Sequence, residues 1–143
     1  MHKNLYIGAY WPRLNFGMFK EIGITAIVNL MEESLYNPNT LGYSYLHKGF
    51  PDETYPPHEY LDEILNFMDH HLKGNGKVLV HCSMGISRSG GIIVAWLLKQ
   101  NLTWSWGDAT SYVKKSKLIA PAVEIRESIL DYLEGIEKIR RNY

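Results

Sequence analysis

Apolar residues follow two different patterns along this chain. Short apolar runs of strand length alternate with longer segments in which apolar side chains recur every three or four positions. The short runs predict β-strands at 5–8, 24–30, 42–50 and 77–81. The longer segments predict helices at 12–22, after the 51–57 loop, at 88–100, from residue 105 and from residue 121. Strands that alternate with helices indicate an α/β fold, with a central, mainly parallel sheet flanked by helices.

Two of the predicted helices have specific local signals. The helix after the 51–57 loop has apolar residues at i, i+3, i+4, i+7 and i+11, which are Leu61, Ile64, Leu65, Met68 and Leu72. Gly74 and Gly76 then predict where it ends. Ser105 and Asp108 have the spacing of a capping box, so we expect a helix to begin there. Residues 37–40 predict a turn between the second and third strands.

Composition and charge exclude several classes of function. The length of 143 residues is typical of one domain, so we expect a single domain over 1–143. Lys+Arg and Asp+Glu both number 15, and this balance favours neither nucleic acid nor an anionic membrane as a partner. The longest apolar run, at 90–98, is far shorter than the ~20 residues of a membrane span. The N-terminal residues have no apolar signal stretch, so we expect a cytoplasmic protein, with nuclear residence open.

Cys82 is the single cysteine, and it lies in the most informative segment of the chain. One thiol can form neither an internal disulfide nor a cysteine zinc site, and no other spacing suggests a metal. We expect Cys82 to begin a turn between a buried strand and a helix, where backbone N–H groups converge on an anion. Such N–H groups and the cation of Arg88, six residues later, favour the nucleophilic thiolate. Gly85 permits a positive φ inside this turn.

The same segment has the features of a phosphate cradle. The guanidinium of Arg88 can bind two oxygens of a phosphoryl group. The remaining oxygens would meet backbone N–H groups of the loop formed by Ser83, Met84, Gly85, Ile86 and Ser87. A thiolate below a phosphorus atom that is ringed by donors is arranged for in-line attack, which produces a phosphocysteine.

The sequence from His81 to Ser89 resembles the signature of cysteine-based protein tyrosine phosphatases, His-Cys-x5-Arg-Ser, and is most similar to the dual-specificity branch. The likeness extends to the predicted strands at 5–8 and 24–30 and to both closing helices, so it covers nearly the whole chain. It implies a protein tyrosine phosphatase-like fold of the minimal dual-specificity type. Met84 departs from the small residue that many members have there, which affects the shape of the pocket wall.

The resemblance also implies a role for each site residue. Cys82 is the nucleophile, Arg88 binds phosphate, and Ser89 donates a hydrogen bond to the departing sulfur. His81 supports the cradle and the reactive thiol. Asp52, which is 30 residues before Cys82 in a loop after a predicted strand, is the general acid and base. No metal or other cofactor is implied.

Less specific interpretations stay open for several of these residues. Cys82 as an inert buried thiol, Arg88 as a surface arginine and Ser89 as a helix-start residue are the structural alternatives. His81 is equally well explained as a structural histidine. Asp52 follows Pro51 and could belong to a plain turn, in which case Glu53 is the neighbour that could replace it.

The first functional hypothesis is a phosphatase that acts on phosphotyrosine and also on phosphoserine or phosphothreonine in proteins. The short chain leaves little room for loops that would deepen the slot, which favours a shallow one. The same chemistry on a phosphoinositide, an RNA 5′-phosphate or a phosphoglycan is the alternative, although Ser83, Met84, Ile86 and Ser87 are uncharged. A phosphopeptide-binding module is a further alternative. Rhodanese-type and arsenate-reductase chemistry fit less well, because the loop spacing differs or further thiols are needed. Nothing in the sequence indicates the oligomeric state.

Overall fold

The computed structural model describes residues 3–10, 14–37 and 42–141, and only the backbone of 138–141. These ranges contain four strands: β1 (Leu5–Ala9), β2 (Ala26–Asn29), β3 (Ser44–His47) and β4 (Val78–Cys82). They also contain five helices: α1 (Phe16–Ile22), α2 (His58–Lys73), α3 (Arg88–Gln100), α4 (Trp106–Lys114) and α5 (Val123–Arg141).

The four strands form one sheet in the order β1-β4-β2-β3, and every neighbouring pair is parallel. This confirms the predicted α/β architecture. Because the strands are parallel, their carboxyl ends lie at one edge, and the loop after the central strand β4 leaves from that edge. The register places Gly8 and Asn29 beside His81, with Ala9 beside Cys82. The motif predicted to carry the chemistry therefore begins at the carboxyl end of a central strand.

Alternate residues of the central strands face two different cores. Val78, Val80 and Cys82 belong to the larger core, which the sheet shares with α2, α3, α4 and α5. Leu79 belongs to the smaller core on the other face, where α1 packs with an aromatic group that includes Tyr36 and Tyr45. The apolar stripe predicted for α2 is confirmed, because all five of its residues are buried. Both faces of the sheet are covered, as the nearly continuous apolar sequence of β4 requires.

Helix α3 lies inside the larger core, with ten of its residues buried. It approaches α5 so closely that a Cβ on Gly91 would lie 2.6 Å from Cγ2 of Ile125. A Cβ on Gly90 would lie 2.9 Å from Cβ of Ile119. These two close contacts pack the beginning of α3, whose first turn carries Arg88 and Ser89, against Ile119 and α5. Among the described helices, none is long and apolar enough to cross a membrane.

Several element boundaries differ from the sequence predictions. The predicted strands at 24–30 and 42–50 shorten to β2 and β3, because the ladder joins only four residues of each. Helix α1 begins at Phe16, where the Asn15 side chain accepts a hydrogen bond from the Met18 N–H, and it ends at Gly23 as predicted. Residues 12–13 of the predicted helix and 38–40 of the predicted turn lie outside the described residues. The predicted capping box of Ser105 and Asp108 is confirmed.

Candidate active site

Cys82 is the last residue of β4, and not the first residue of the turn as predicted. Its side chain is 2% exposed. The Sγ atom lies 3.2 Å from the Oγ of Ser89 and 3.5 Å from the Ser89 backbone N–H. Ser89 is fully buried in the first turn of α3. The thiol is therefore held between the end of the central strand and the beginning of a helix, with a hydroxyl beside it.

The loop between β4 and α3 has the shape of an anion cradle. Within the described part of the chain, no backbone N–H of residues 83–87 donates a hydrogen bond to another group. Gly85 has the predicted positive φ, at 72°, and a Cβ there would lie 3.0 Å from the carbonyl oxygen of Gly8. A residue with a side chain would be strained at this positive φ, and its Cβ would lie too close to the main-chain carbonyl of Gly8. The tight turn leaves its N–H groups available to an oxyanion.

The guanidinium of Arg88 is fixed by main-chain carbonyls from two other loops. Nη1 donates to the carbonyl of Phe50 at 3.0 Å, and the Leu30 carbonyl lies further away at 3.5 Å. Nε is buried and has no hydrogen-bond partner among the described residues. Because an unsatisfied buried donor is costly, this N–H indicates a ligand oxygen at the cradle. The spacing of the motif predicted the arginine but not the two carbonyls that orient it.

Asp52 lies across the same cleft from the thiol. The cleft has a volume of about 240 Å³ and is lined by Asp52, Cys82, Ser83, Met84, Ile86, Ser87 and Arg88. One oxygen of Asp52 accepts a hydrogen bond from the Ser87 hydroxyl at 2.7 Å and another from the Glu53 N–H at 2.9 Å. Glu53, the alternative acid, does not line this cleft. The structure therefore brings Asp52 to the cradle, 30 positions away in sequence from Cys82.

Ser87 joins the loop of Asp52 to the segment that precedes α5. Its Oγ donates to Asp52 and accepts a hydrogen bond from the Ala122 N–H at 3.0 Å. The neighbouring Ile86 carbonyl accepts from the Ala120 N–H at 3.1 Å. Two hydrogen bonds from the segment that precedes α5 thus stabilise the cradle. Sequence spacing offered no signal for either bond, since Ser87 and Ala122 are 35 residues apart.

His81 is fully buried behind the cradle. Its Nε2 lies 2.6 Å from the hydroxyl of Tyr36, in the loop after β2. Burial is the main cause that lowers the pKa of His81, to about 4. Burial likewise raises the pKa of Tyr36, so both groups are neutral at neutral pH. His81 therefore carries no charge toward the thiol, which favours the structural interpretation over a direct electrostatic one.

All residues predicted for the site lie at this sheet edge. Seven line the cleft, Ser89 contacts the sulfur, Gly85 forms the turn and His81 lies behind it. Their roles in chemistry remain predictions. In the described ranges no three His, Cys, Asp or Glu side chains group in a way that could hold a metal ion. The arrangement can bind a phosphoryl group, present a sulfur nucleophile to it and hold a carboxyl group nearby.

The family model for the dual specificity phosphatase catalytic domain matches residues 5–134. The chain belongs to the dual-specificity phosphatase family. The family match includes every predicted site residue and all four strands, and it confirms the family indicated by the sequence motif.

Individual relatives agree with this assignment. The chain is 27% identical to protein phosphatase Slingshot of Drosophila melanogaster over 98% of its length, which is 14% of the Slingshot sequence. It is 30% identical to human dual specificity protein phosphatase 1 over 90% of its length, which is 35% of that protein. The chain thus spans about a third or less of these relatives. A crystal structure of human tyrosine phosphatase-like serine/threonine/tyrosine-interacting protein superposes with a TM-score of 0.80 at 26% identity, covering 94% of this chain and 93% of the other. The fold is therefore that of a minimal dual-specificity phosphatase core.

Proposed function

We propose that this protein is a cysteine-dependent phosphatase that hydrolyses phosphomonoesters of proteins through a phosphocysteine intermediate. The observation that carries the proposal is one cleft in which the Cys82 sulfur, the cradle before Arg88 and the carboxyl group of Asp52 meet. The family supports the same reaction. A reactive thiol must stay reduced, which supports a reducing compartment such as the cytoplasm.

In the first step, the phosphate lies in the cradle with its oxygens on the loop N–H groups and on Arg88. The Sγ of Cys82 attacks phosphorus and forms the S–P bond, while the bond from phosphorus to the substrate oxygen breaks. Asp52 gives its proton to that oxygen, so that a neutral alcohol or phenol leaves. Because the transition state spreads negative charge over the equatorial oxygens, the fixed donors stabilise it.

In the second step, water hydrolyses the phosphocysteine. Asp52, now ionised, accepts a proton from the water. The water oxygen bonds to phosphorus as the S–P bond breaks. Sulfur leaves as a thiolate, and the hydroxyl of Ser89, 3.2 Å away, is placed to donate a hydrogen bond to it. Inorganic phosphate is released, and both Asp52 and Cys82 return to their starting states. Each residue thus acts in a balanced cycle that needs no metal or organic cofactor.

A phosphorylated protein is the substrate class that the cleft supports best. Its mouth is bordered by exposed side chains, Asp52 and Met84, and Met84 is 57% exposed. Such an open cleft supports access for phosphoserine and phosphothreonine as well as for the longer phosphotyrosine. Among the described residues, Arg88 is the one cation that lines it. Substrates with several phosphates, such as phosphoinositides, lack further cationic partners there.

Hydrolysis of para-nitrophenyl phosphate without metal, in the presence of a reductant, tests the proposal. We expect activity in the wild type, complete loss in Cys82→Ser, and a reduced rate with an altered basic limb of the pH profile in Asp52→Asn. The general acid is worth about 10²–10⁴ in rate for substrates that need protonation. Full activity of Cys82→Ser would refute the phosphocysteine route. An inactive wild type that binds phosphopeptides would instead support a binding module.

A further inference from the structure

A second cavity adjoins the catalytic cleft and shares two residues with it. The cavity has a volume of about 300 Å³ and is lined by Met31, Glu32, Glu33, Leu35, Ser83 and Arg88. Ser83 and Arg88 also line the cleft that contains the thiol. A phosphate bound to Arg88 therefore lies at the border of the two cavities. The part of a substrate next to its phosphorylated residue can reach the second cavity directly.

The charge in this second cavity is acidic. Glu32 and Glu33 are exposed, and among the described residues neither carboxylate has an ion pair or a side-chain hydrogen bond. With Asp52, the described lining of the two cavities has three carboxylates against the single cation of Arg88. A bound phosphate dianion more than neutralises that cation. A second anion on the substrate would then be repelled, and a cation beside the phosphate would be attracted.

The loop that carries these carboxylates is held by a buried asparagine and a half-buried histidine. Asn29 is fully buried; its Oδ1 accepts from the Met31 N–H at 2.8 Å, and its Nδ2 donates to the Glu33 carbonyl at 3.3 Å. Nε2 of His47 lies 2.6 Å from the Met31 carbonyl. A Cβ on Gly49 would overlap that same carbonyl. Because the backbone is already ordered, little loop entropy is lost when a substrate binds there.

We propose that Glu32 and Glu33 select phosphoprotein substrates with a lysine or arginine beside the phosphorylated residue. The inference rests on the proposed phosphatase function and specifies its substrate class. Leu35, which is 49% exposed, and Met31 offer apolar contact to the aliphatic stem of such a side chain. The same two carboxylates repel the additional phosphates of phosphoinositides and RNA. Glu32 and Glu33 are therefore specificity residues and take no part in the bond-breaking steps.

The test uses one phosphotyrosine peptide series in which the flanking residues are lysine, acetyl-lysine or glutamate. Acetyl-lysine retains most of the side chain but removes the charge. We expect kcat/KM of the wild type to be about fivefold higher for lysine than for acetyl-lysine at low salt, since an exposed charge pair is worth up to about 1 kcal/mol. The ratio should fall toward one at high salt, because ions screen exposed charges.

Variants assign the preference to the two carboxylates. In Glu32→Gln/Glu33→Gln the ratio should approach one, and in Glu32→Lys/Glu33→Lys the glutamate peptide should become the better substrate. The matched control Glu21→Gln/Glu59→Gln removes the same net charge from exposed positions that line neither cavity, and it should retain the wild-type ratio.

Equal turnover of the lysine and acetyl-lysine peptides by the wild type would overturn the inference and leave the phosphatase proposal intact. So would an unchanged preference in the glutamine variant, provided that it hydrolyses the acetyl-lysine peptide normally and is therefore folded. A control variant that loses the preference to the same extent would attribute it to net charge alone, which also contradicts the inference. Failure of the wild type to hydrolyse any phosphopeptide or para-nitrophenyl phosphate would refute the proposed function itself.

Discussion

Replacing Ser87 by alanine tests whether the cradle positions the proposed general acid. The substitution removes the 2.7 Å hydrogen bond to Asp52 and the 3.0 Å bond from the Ala122 N–H. Asp52 becomes a carboxylate as it gives up its proton in the transition state, and a hydrogen bond to a charged group is worth about 1.5–3 kcal/mol net. Asp52 is exposed, so water compensates part of that loss, and we expect the lower end of the range. About 1.4 kcal/mol corresponds to a tenfold fall in rate for substrates that depend on the acid.

The assay compares two aryl phosphates that differ in their need for a proton. Phenyl phosphate has a poor leaving group, so Ser87→Ala should lower its kcat/KM about tenfold. Para-nitrophenolate leaves readily without protonation, so its kcat/KM should change much less. Ser116→Ala, which alters an exposed serine outside the cleft, is the matched control and should leave both values unchanged.

A double-mutant cycle distinguishes positioning from a general structural effect. If Ser87 acts through Asp52, Ser87→Ala should cost little in an Asp52→Asn background, because the acid is already absent. If the two effects multiply on phenyl phosphate, Ser87 acts independently of Asp52 and does not position it. Equal losses on both aryl phosphates would refute that positioning role as well, since they would indicate damage to the cradle.

Three further predictions concern the buried histidine, the packing of α3 and the thiol. Because the pKa of His81 falls to about 4 from 6.5, the unfolded chain binds a proton in that interval that the native protein does not, and stability must fall as pH falls. Denaturant unfolding should show that the free energy of unfolding falls by about 2 kcal/mol between about pH 7 and about pH 5. A His81→Asn variant whose free energy of unfolding depends on pH as steeply as that of the wild type would contradict this prediction. Gly91→Ala should lower the free energy of unfolding by about 1–3 kcal/mol, because the added methyl group would be overpacked against Ile125. Gly135→Ala is the control; its methyl group would meet open space, so stability should stay the same or rise. Equal unfolding midpoints for the two variants would disprove the close contact at Gly91. Peroxide should abolish the phosphatase activity reversibly by oxidising Cys82 to a sulfenic acid. No intramolecular disulfide should form, since the sequence has no second cysteine. An activity that is insensitive to peroxide would argue against a reactive thiolate.

The parts of the molecule that local patterns determine could be predicted from the sequence. The buried stripe of α2 follows from 3.6-residue periodicity, and the start of α4 follows from the Ser105–Asp108 capping box. The signature from His81 to Ser89 predicted the cradle because a strand-to-helix turn with this spacing is itself a local structure. Asp52 depended on the family resemblance, and the structure does bring it into the cleft.

The contacts that complete the site join residues far apart in sequence, so no local pattern could predict them. Ser87 meets Asp52 across 35 residues, and Tyr36 meets His81 across 45. The arginine is oriented by the carbonyls of Leu30 and Phe50, and a main-chain carbonyl has no signature in the sequence. The predicted start of α1 at residue 12 is wrong for a local reason, because the Asn15 side chain caps the helix and the first helical residue is Phe16.

In the proposed reaction the phosphoryl group forms a covalent bond to the sulfur of Cys82. Rapid quenching of the Ser89→Ala variant during turnover of para-nitrophenyl phosphate, followed by peptide mass spectrometry, would detect that bond. Removing the hydroxyl 3.2 Å from the sulfur should slow the departure of the thiolate, so the intermediate should accumulate. We expect one added phosphoryl group on the peptide that contains Cys82, and none in Cys82→Ser. Continued turnover of the Ser89→Ala variant with no phosphorylated Cys82 would rule out a phosphocysteine intermediate.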